Sequence, residues 1–227
     1  MRYHMGEFMS KNGFVAVVDY GAGNLRNVVR ALQRVGVEAR LVGEPEGLAD
    51  ARAIVLPGVG HAGDAMGRLV ERGLAAGLVE RIHRGVPFLG VCLGFQLLFD
   101  ESEEAPGVPC LGVVPGRVRR LEVQGKVPHM GWNQVRWRGR HALRRRVPEG
   151  SYFYFVHSYV GEPADGAWAT GYTDYETEFV SALARDNVMA TQFHPEKSGA
   201  VGLQIYRNFV RLAEGEGCRG RGLKAEC

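Results

Sequence analysis

Two hydrophobic periods alternate along the first hundred residues. Phe14-Val15-Ala16-Val17-Val18 is an unbroken, mostly β-branched run ending at Asp19, the pattern of a short buried strand. Tyr20-Gly21-Ala22-Gly23-Asn24 interrupts it. Leu25, Val28, Val29, Leu32 and Val35 then recur at helical spacing until Gly36 stops the helix. Residues 38–42 and Ala53-Ile54-Val55-Leu56 read as the second and third strands. Met66, Val70, Leu74, Leu78 and Ile82 recur every fourth residue, which predicts one long amphipathic helix. Pro87-Phe88-Leu89-Gly90-Val91 returns to strand and runs through Cys92 into a further helix. Strand and helix in strict alternation predict an α/β fold with a mostly parallel central sheet flanked by helices.

After residue 112 the pattern changes. Strand-like segments at 113–123, 132–137, 152–157, 167–172, 179–185 and 188–193 follow one another with Pro and Gly between them. No long helix intervenes until 200–213, where Val201, Ile205, Phe209 and Leu212 mark a last apolar face. These segments predict an antiparallel, strand-rich layer added to the α/β core. With no repeat and no linker in view, residues 14–213 read as one domain. Residues 1–13, with three methionines and no periodicity, read as an extension, and 214–227 as a Gly-rich, charged, flexible tail.

Composition removes several classes of function. The 227 residues are 45% hydrophobic and 23% charged, which suits a globular protein, and the formal charge of +3 is too small to argue for nucleic acid. No apolar run approaches the roughly 20 residues of a membrane span. The first 13 residues lack the apolar centre of a signal peptide. Cys92, Cys110, Cys218 and Cys227 form no C-x-x-C pair, and the histidines show no metal-ligand spacing. Neither a disulfide framework nor a metal site is expected, and the cytoplasm is the expected location.

The chemistry concentrates around one cysteine. In Gly90-Val91-Cys92-Leu93-Gly94-Phe95-Gln96 a strand meets a helix at the cysteine, with glycine two residues to either side. That is the G-x-nucleophile-x-G elbow in a cysteine version: the turn forces the nucleophile into an awkward backbone conformation, and a side chain at either glycine would collide with neighbouring elements. A helix beginning at the nucleophile adds positive potential that favours a thiolate. A free cysteine is more often a small buried hydrophobe, but the strand–elbow–helix context reverses that reading.

A partner lies downstream in Thr191-Gln192-Phe193-His194-Pro195-Glu196. Pro195 pushes His194 into extended geometry, so His194 and Glu196 can point to the same side. A carboxylate beside an imidazole orients the ring, and the imidazole moves protons for the thiol. Alone, H-x-E is a weak signal; with the elbow in the same chain, Cys92–His194–Glu196 becomes a candidate triad. Gly58-Val59-Gly60 follows the third strand, where side-chain-poor backbone can donate N–H groups to an oxyanion, and the Leu93 amide is the natural second donor.

With these residues in hand, the chain resembles the triad (class-I) glutamine amidotransferases. Asp19-Tyr20-Gly21-Ala22-Gly23-Asn24-Leu25, Leu56-Pro57-Gly58-Val59-Gly60, Pro128-His129-Met130-Gly131-Trp132-Asn133, Tyr154-Phe155-Val156-His157-Ser158-Tyr159 and Gln192–Ser198 narrow the resemblance. They are similar to the glutaminase subunits of imidazole glycerol phosphate synthases, over about residues 14–213. The resemblance implies hydrolysis of L-glutamine to glutamate and ammonia without metal or organic cofactor. It also implies a separate (β/α)₈-barrel cyclase subunit as heterodimer partner. That subunit uses the ammonia to make imidazole glycerol phosphate and aminoimidazole carboxamide ribotide in histidine biosynthesis. It further implies that Gln96, Glu104 and the backbone of Ser158 and Tyr159 bind the substrate's amino-acid end. Asn24, Trp132, Asn133 and Lys197 fall where such subunits meet their cyclase; His129 and His157 have pocket or interface roles.

Two alternatives compete with this reading. A glutaminase serving an anthranilate, carbamoyl phosphate or pyridoxal phosphate system would lack the His129–Asn133 segment in this form. A silent binding module on the same fold would have no reason to keep Cys92, His194 and Glu196 together. The stretch Arg136–Arg146, with six arginines and a tryptophan, invites a nucleic-acid reading but is expected to be a solvated connection between strands.

Overall fold

The computed structural model describes residues 13–21 and 23–215. The alternating half unfolds as the hydrophobic pattern requires. Strand β1 (Val15–Val18) is buried along its whole length, and α1 (Leu25–Arg34) turns Leu25, Val28, Ala31 and Leu32 inward. Gly36, at φ 89°, supplies the left-handed residue that ends the helix. Next come β2 (Ala39–Val42), a single turn α2 (Glu46–Ala49), and β3 (Ala53–Gly58). They lead to α3 (Ala62–Glu71), α4 (Leu74–His83), β4 (Phe88–Cys92) and α5 (Leu93–Gln96).

The second half contributes β5 (Glu101–Ser102), β6 (Gly116–Arg120), β7 (His129–Gln134), β8 (Arg136–Trp137), β9 (Tyr152–His157) and β10 (Tyr159–Pro163). It closes with β11 (Ala169–Tyr175), β12 (Thr177–Arg185), β13 (Val188–Thr191) and α6 (Gly199–Ala213). The main sheet runs β2-β1-β3-β4-β13-β12-β10-β6-β5, with β8 and β11 joined through β12. From β2 to β13 every pairing is parallel; beyond β13 the pairings are antiparallel until the short β5. The last strand, β13, inserts beside β4 with Val188 opposite Phe88 and Thr191 opposite Val91. Strands β7 and β9 form a separate antiparallel pair, His129 opposite His157 and Trp132 opposite Tyr154. Two apolar clusters fill the faces of the sheet: one includes Leu56, Leu69, Phe95 and Phe99, the other Val55, Val91, Phe153 and Phe209.

Several elements depart from the sequence reading, among them the expected strand over 132–137, which is split between β7 and β8 in different sheets. The long helix expected over Met66–Ile82 is broken at Gly73, whose φ of 68° no helix accommodates. Val70 is consequently turned to solvent while Leu69 is buried. The helix expected after Cys92 lasts one turn. The carbonyls of Leu97, Leu98 and Phe99 accept from Leu111, Val113, Val114 and Gly112 instead of continuing it. Strand β10, directly after β9, has no counterpart among the expected segments.

The Arg136–Arg146 stretch is anchored in the core by Trp137 and Leu143, while Arg136 and Arg138 both pair with Glu178 and Arg144 with Glu149. Residues 1–12 of the extension, residues 216–227 of the tail, and with them Cys218 and Cys227, lie outside the described residues. Among those described, no helix is long and apolar enough to cross a membrane, and no group of His, Cys, Asp and Glu could hold a metal ion.

Candidate active site

Cys92 ends β4 at φ 55° and ψ −104°, a conformation that costs a non-glycine residue on the order of 1–3 kcal/mol. Its two glycines are required by contact. A Cβ on Gly90 would sit 2.6 Å from the Gly94 carbonyl oxygen, and one on Gly94 would overlap the Leu56 carbonyl oxygen. The sharp turn therefore closes onto β3 only because both positions are bare. The thiol, 3.8 Å from the Val156 carbonyl oxygen, is covered by β9. The side-chain amide of Gln192 donates toward it, also at 3.8 Å.

His194 follows β13, next to β4 in the sheet, and this adjacency unites residues a hundred positions apart. Its Nδ1 lies 2.8 Å from Glu196 Oε1, and both side chains are almost wholly buried. Its Nε2 has no hydrogen-bond partner among the described residues. Burial alone would lower the imidazole pKa, but the charge of the nearby Cys92 sulfur, then the bond to Glu196, outweigh it and raise the ring to about 10. A ring that stays protonated beside the sulfur is the counterion a thiolate needs. The loop carrying the pair is fastened to β9: His194 N–H donates to the Tyr154 carbonyl, and Tyr154 N–H donates to Ser198 Oγ. Ser198 Oγ in turn donates to the His194 carbonyl.

The oxyanion candidates lie against this centre. Gly58 is the register partner of Cys92 across the β3–β4 pair. A side chain there would displace the Tyr20 hydroxyl and press on Leu93 Cβ, so the strand end must be glycine for the two to meet. Val59 is partly exposed, and Gly60 adopts φ 100° with open space around it. Leu93 begins α5 directly after the nucleophile.

Gln96 is buried, and its amide nitrogen donates to the Tyr159 carbonyl and to Gln192 Oε1, both at 3.0 Å. Both amide protons are thus committed, leaving its oxygen as the group able to receive a substrate ammonium. Glu104 accepts from the first amide of α3, Ala62 N, at 2.8 Å, which binds the 103–106 turn to the segment after Gly60. The Ser158 carbonyl is taken by the Leu121 amide, so of that pair only Tyr159 presents its carbonyl to the Gln96 side.

The four residues assigned to a partner surface divide. Trp132 is more than half exposed and packs edge-on to Tyr154, whose ring also lies under the Lys197 ammonium, making one outward aromatic and basic patch with Met130. Asn133 faces the other way and spends its amide on the Asp174 carbonyl and His129. Asn24 donates to Glu196 Oε1, which places it in contact with the triad. Sequence reasoning gave no role to Gln192, although it lies two residues before His194 on the same extended segment. It also gave none to Tyr20 and Tyr206, whose buried hydroxyls have no partner among the described residues.

This arrangement has relatives. The glutamine amidotransferase class-I family pattern matches residues 16–212. The imidazole glycerol phosphate synthase subunit HisH of Dehalococcoides mccartyi strain CBDB1 is 44% identical over 202 residues, covering 89% of this chain and 98% of its own. The protein of the same name from Herpetosiphon aurantiacus is 49% identical, covering 89% and 96%. That of Methanothermobacter thermautotrophicus is 48% identical, covering 87% and 98%. Among solved structures, a glutamine amidotransferase superposes with a TM-score of 0.72 at 24% identity, over 89% of this chain and all of that one, and supports the fold. The elbow, the buried histidine–carboxylate pair and the match over nearly the whole described chain lead to one assignment: this protein belongs to the class-I glutamine amidotransferase family.

Proposed function

We propose that the chain is the glutaminase subunit of an imidazole glycerol phosphate synthase. In this reading the Cys92 sulfur attacks the side-chain amide carbon of L-glutamine, and the oxyanion forms against the Val59 and Leu93 amides at the Gly58–Gly60 edge. His194 passes a proton to the departing ammonia, leaving a thioester on Cys92. Water, deprotonated by the same ring, then releases glutamate and restores the thiol. Glu196 holds the ring's tautomer; the Gln96 side-chain oxygen and Glu104 hold the amino-acid end, and the Tyr159 carbonyl holds the Gln96 amide in place. The observation that carries the reading is the strained Cys92 covered by β9 and Gln192 and set beside a His194–Glu196 pair closed at 2.8 Å. Relatives 44–49% identical, named as subunits of that synthase, support the choice of pathway.

Ammonia released here passes to a (β/α)₈-barrel cyclase subunit, and the Met130–Trp132–Tyr154–Lys197 patch is the surface we assign to it. The cytoplasm is the matching location. The isolated chain is a weak glutaminase in this reading, because unescorted hydrolysis wastes glutamine. Glycines on both sides of Val59 leave its peptide free to turn away. One misdirected oxyanion donor lowers the rate by about 10²–10³. The test is glutamate production by the chain alone, with cyclase, and with cyclase plus a nucleotide analogue. A steep rise across the three supports the reading, and equal rates would leave an unregulated glutaminase in its place.

A further inference from the structure

The two histidines of the β7–β9 pair belong to a hydrogen-bond chain whose polarity can be worked out from its ends. At one end, His157 Nδ1 lies 2.9 Å from the Tyr159 carbonyl oxygen, which can only accept; Nδ1 therefore carries the proton, and Nε2 must be an acceptor. His129 Nδ1, 3.0 Å from that Nε2, is then a donor, and His129 Nε2 an acceptor. At the other end, the Asn133 nitrogen is identified by its 2.8 Å bond to the Asp174 carbonyl, and its second proton faces His129 Nε2 at 3.3 Å. Both ends demand the same direction. Protonating either ring would set two N–H groups against each other, consistent with burial holding His129 to about 4 and His157 to about 3.

The chain terminates in the glutamine pocket. The Tyr159 carbonyl that receives His157 also receives Gln96, and Gln96 bonds to Gln192, which reaches the Cys92 sulfur. A carbonyl fixed by two donors cannot follow one of them away. We propose that the Asn133–His129–His157 relay is a positioning device for glutamine binding, fixing the Tyr159 carbonyl and through it the Gln96 amide. This rests on the glutaminase reading above. It gives His129, His157 and Asn133 one shared task and roots the pocket in the strand pair whose outer face carries Trp132 and Tyr154.

Two measurements test it. In histidine-¹⁵N-labelled protein at neutral pH, both rings should show the neutral Nδ1–H tautomer; an Nε2–H tautomer or an imidazolium in either would overturn the relay. In the complex with the cyclase subunit, His157→Phe should raise the glutamine KM by about three- to tenfold, the worth of one net hydrogen bond, with a smaller change in kcat. His157→Asn, whose amide nitrogen can replace Nδ1, should return KM to within about twofold of wild type. Ammonia-dependent synthesis should be unchanged in both. If His157→Phe does not fold, His129→Phe breaks the relay one step earlier, in a site stacked between Phe155 and Tyr175 where a phenyl ring fits. Wild-type hydrolysis with KM unchanged in the Phe variants would overturn the relay alone. A wild-type complex that hydrolyses no glutamine would overturn the functional reading and the pocket role with it.

Discussion

Cys92 holds a backbone conformation that its neighbours impose, and its chemistry depends on one sulfur atom. Replacing it by alanine should abolish glutamine hydrolysis, since no thioester can form, while the assembled complex still uses added ammonia. Residual glutaminase activity in Cys92→Ala would remove it as the nucleophile. His194→Asn should be nearly as damaging, because in the proposed mechanism the ring moves protons in both half-reactions. Glu196→Gln should cost less, because Oε1 still accepts from Asn24 and the second oxygen has no partner among the described residues. The His194→Asn, Glu196→Gln double variant should resemble His194→Asn, and penalties that multiply would argue against a shared step. All three residues were legible in the sequence because local patterns mark them: glycines around Cys92, proline after His194, a two-residue step to Glu196. Asn24 is placed at the partner surface by the resemblance alone, and its contact with Glu196, 172 positions away, is one that no local pattern announces. Gln192 and the direction of the His129–His157 chain were hidden for the same reason, since they depend on which strands become neighbours.

Among the elements, the strand–elbow–helix unit tolerates the least change. Gly94→Ala would drive a methyl group into the Leu56 carbonyl and should destabilise the fold by about 3 kcal/mol, with loss of activity. Gly67→Ala, inside α3 with nothing within 4 Å, should instead stabilise by about 0.5–1 kcal/mol through helix propensity. Urea unfolding of the two variants beside wild type checks both signs. The alternating strands and helices up to β4 were readable because each buries a face with its own period. The break at Gly73 escaped the pattern because the four-residue spacing of Met66, Val70 and Leu74 continues across it. The short α5 escaped because Leu97, Leu98 and Phe99 are apolar in either conformation. Their carbonyls are claimed by residues 111–114, a tertiary effect that no periodicity carries.

At the scale of the molecule, buried neutral histidines set an acid limit. His129 and His157 are held by burial to about 4 and about 3, against an ordinary value of 6.5. Between those limits the unfolded chain binds protons that these two rings refuse in the native protein, so their contribution to stability should fall as pH drops from about 6.5 toward 4. His194, raised to about 10, instead contributes most below 6.5 and loses its contribution as pH rises. Comparing urea midpoints at pH 7.5 and pH 5 in wild type and His129→Phe isolates the His129 part: the variant should lose less stability, or gain more, on going to pH 5 than wild type, and an unchanged pH dependence would contradict the assignment. The strand order has a consequence for synthesis as well. Strand β4 emerges from the ribosome with an apolar edge, Phe88 to Val91, whose permanent neighbour is β13. At about 5–20 residues per second, the hundred residues between them keep that edge bare for roughly 5–20 seconds. A nascent chain in that interval carries its reactive sulfur without its base. It cannot squander glutamine, but it exposes a template for misassociation, so chaperone dependence should be concentrated in the window before residue 191 is made.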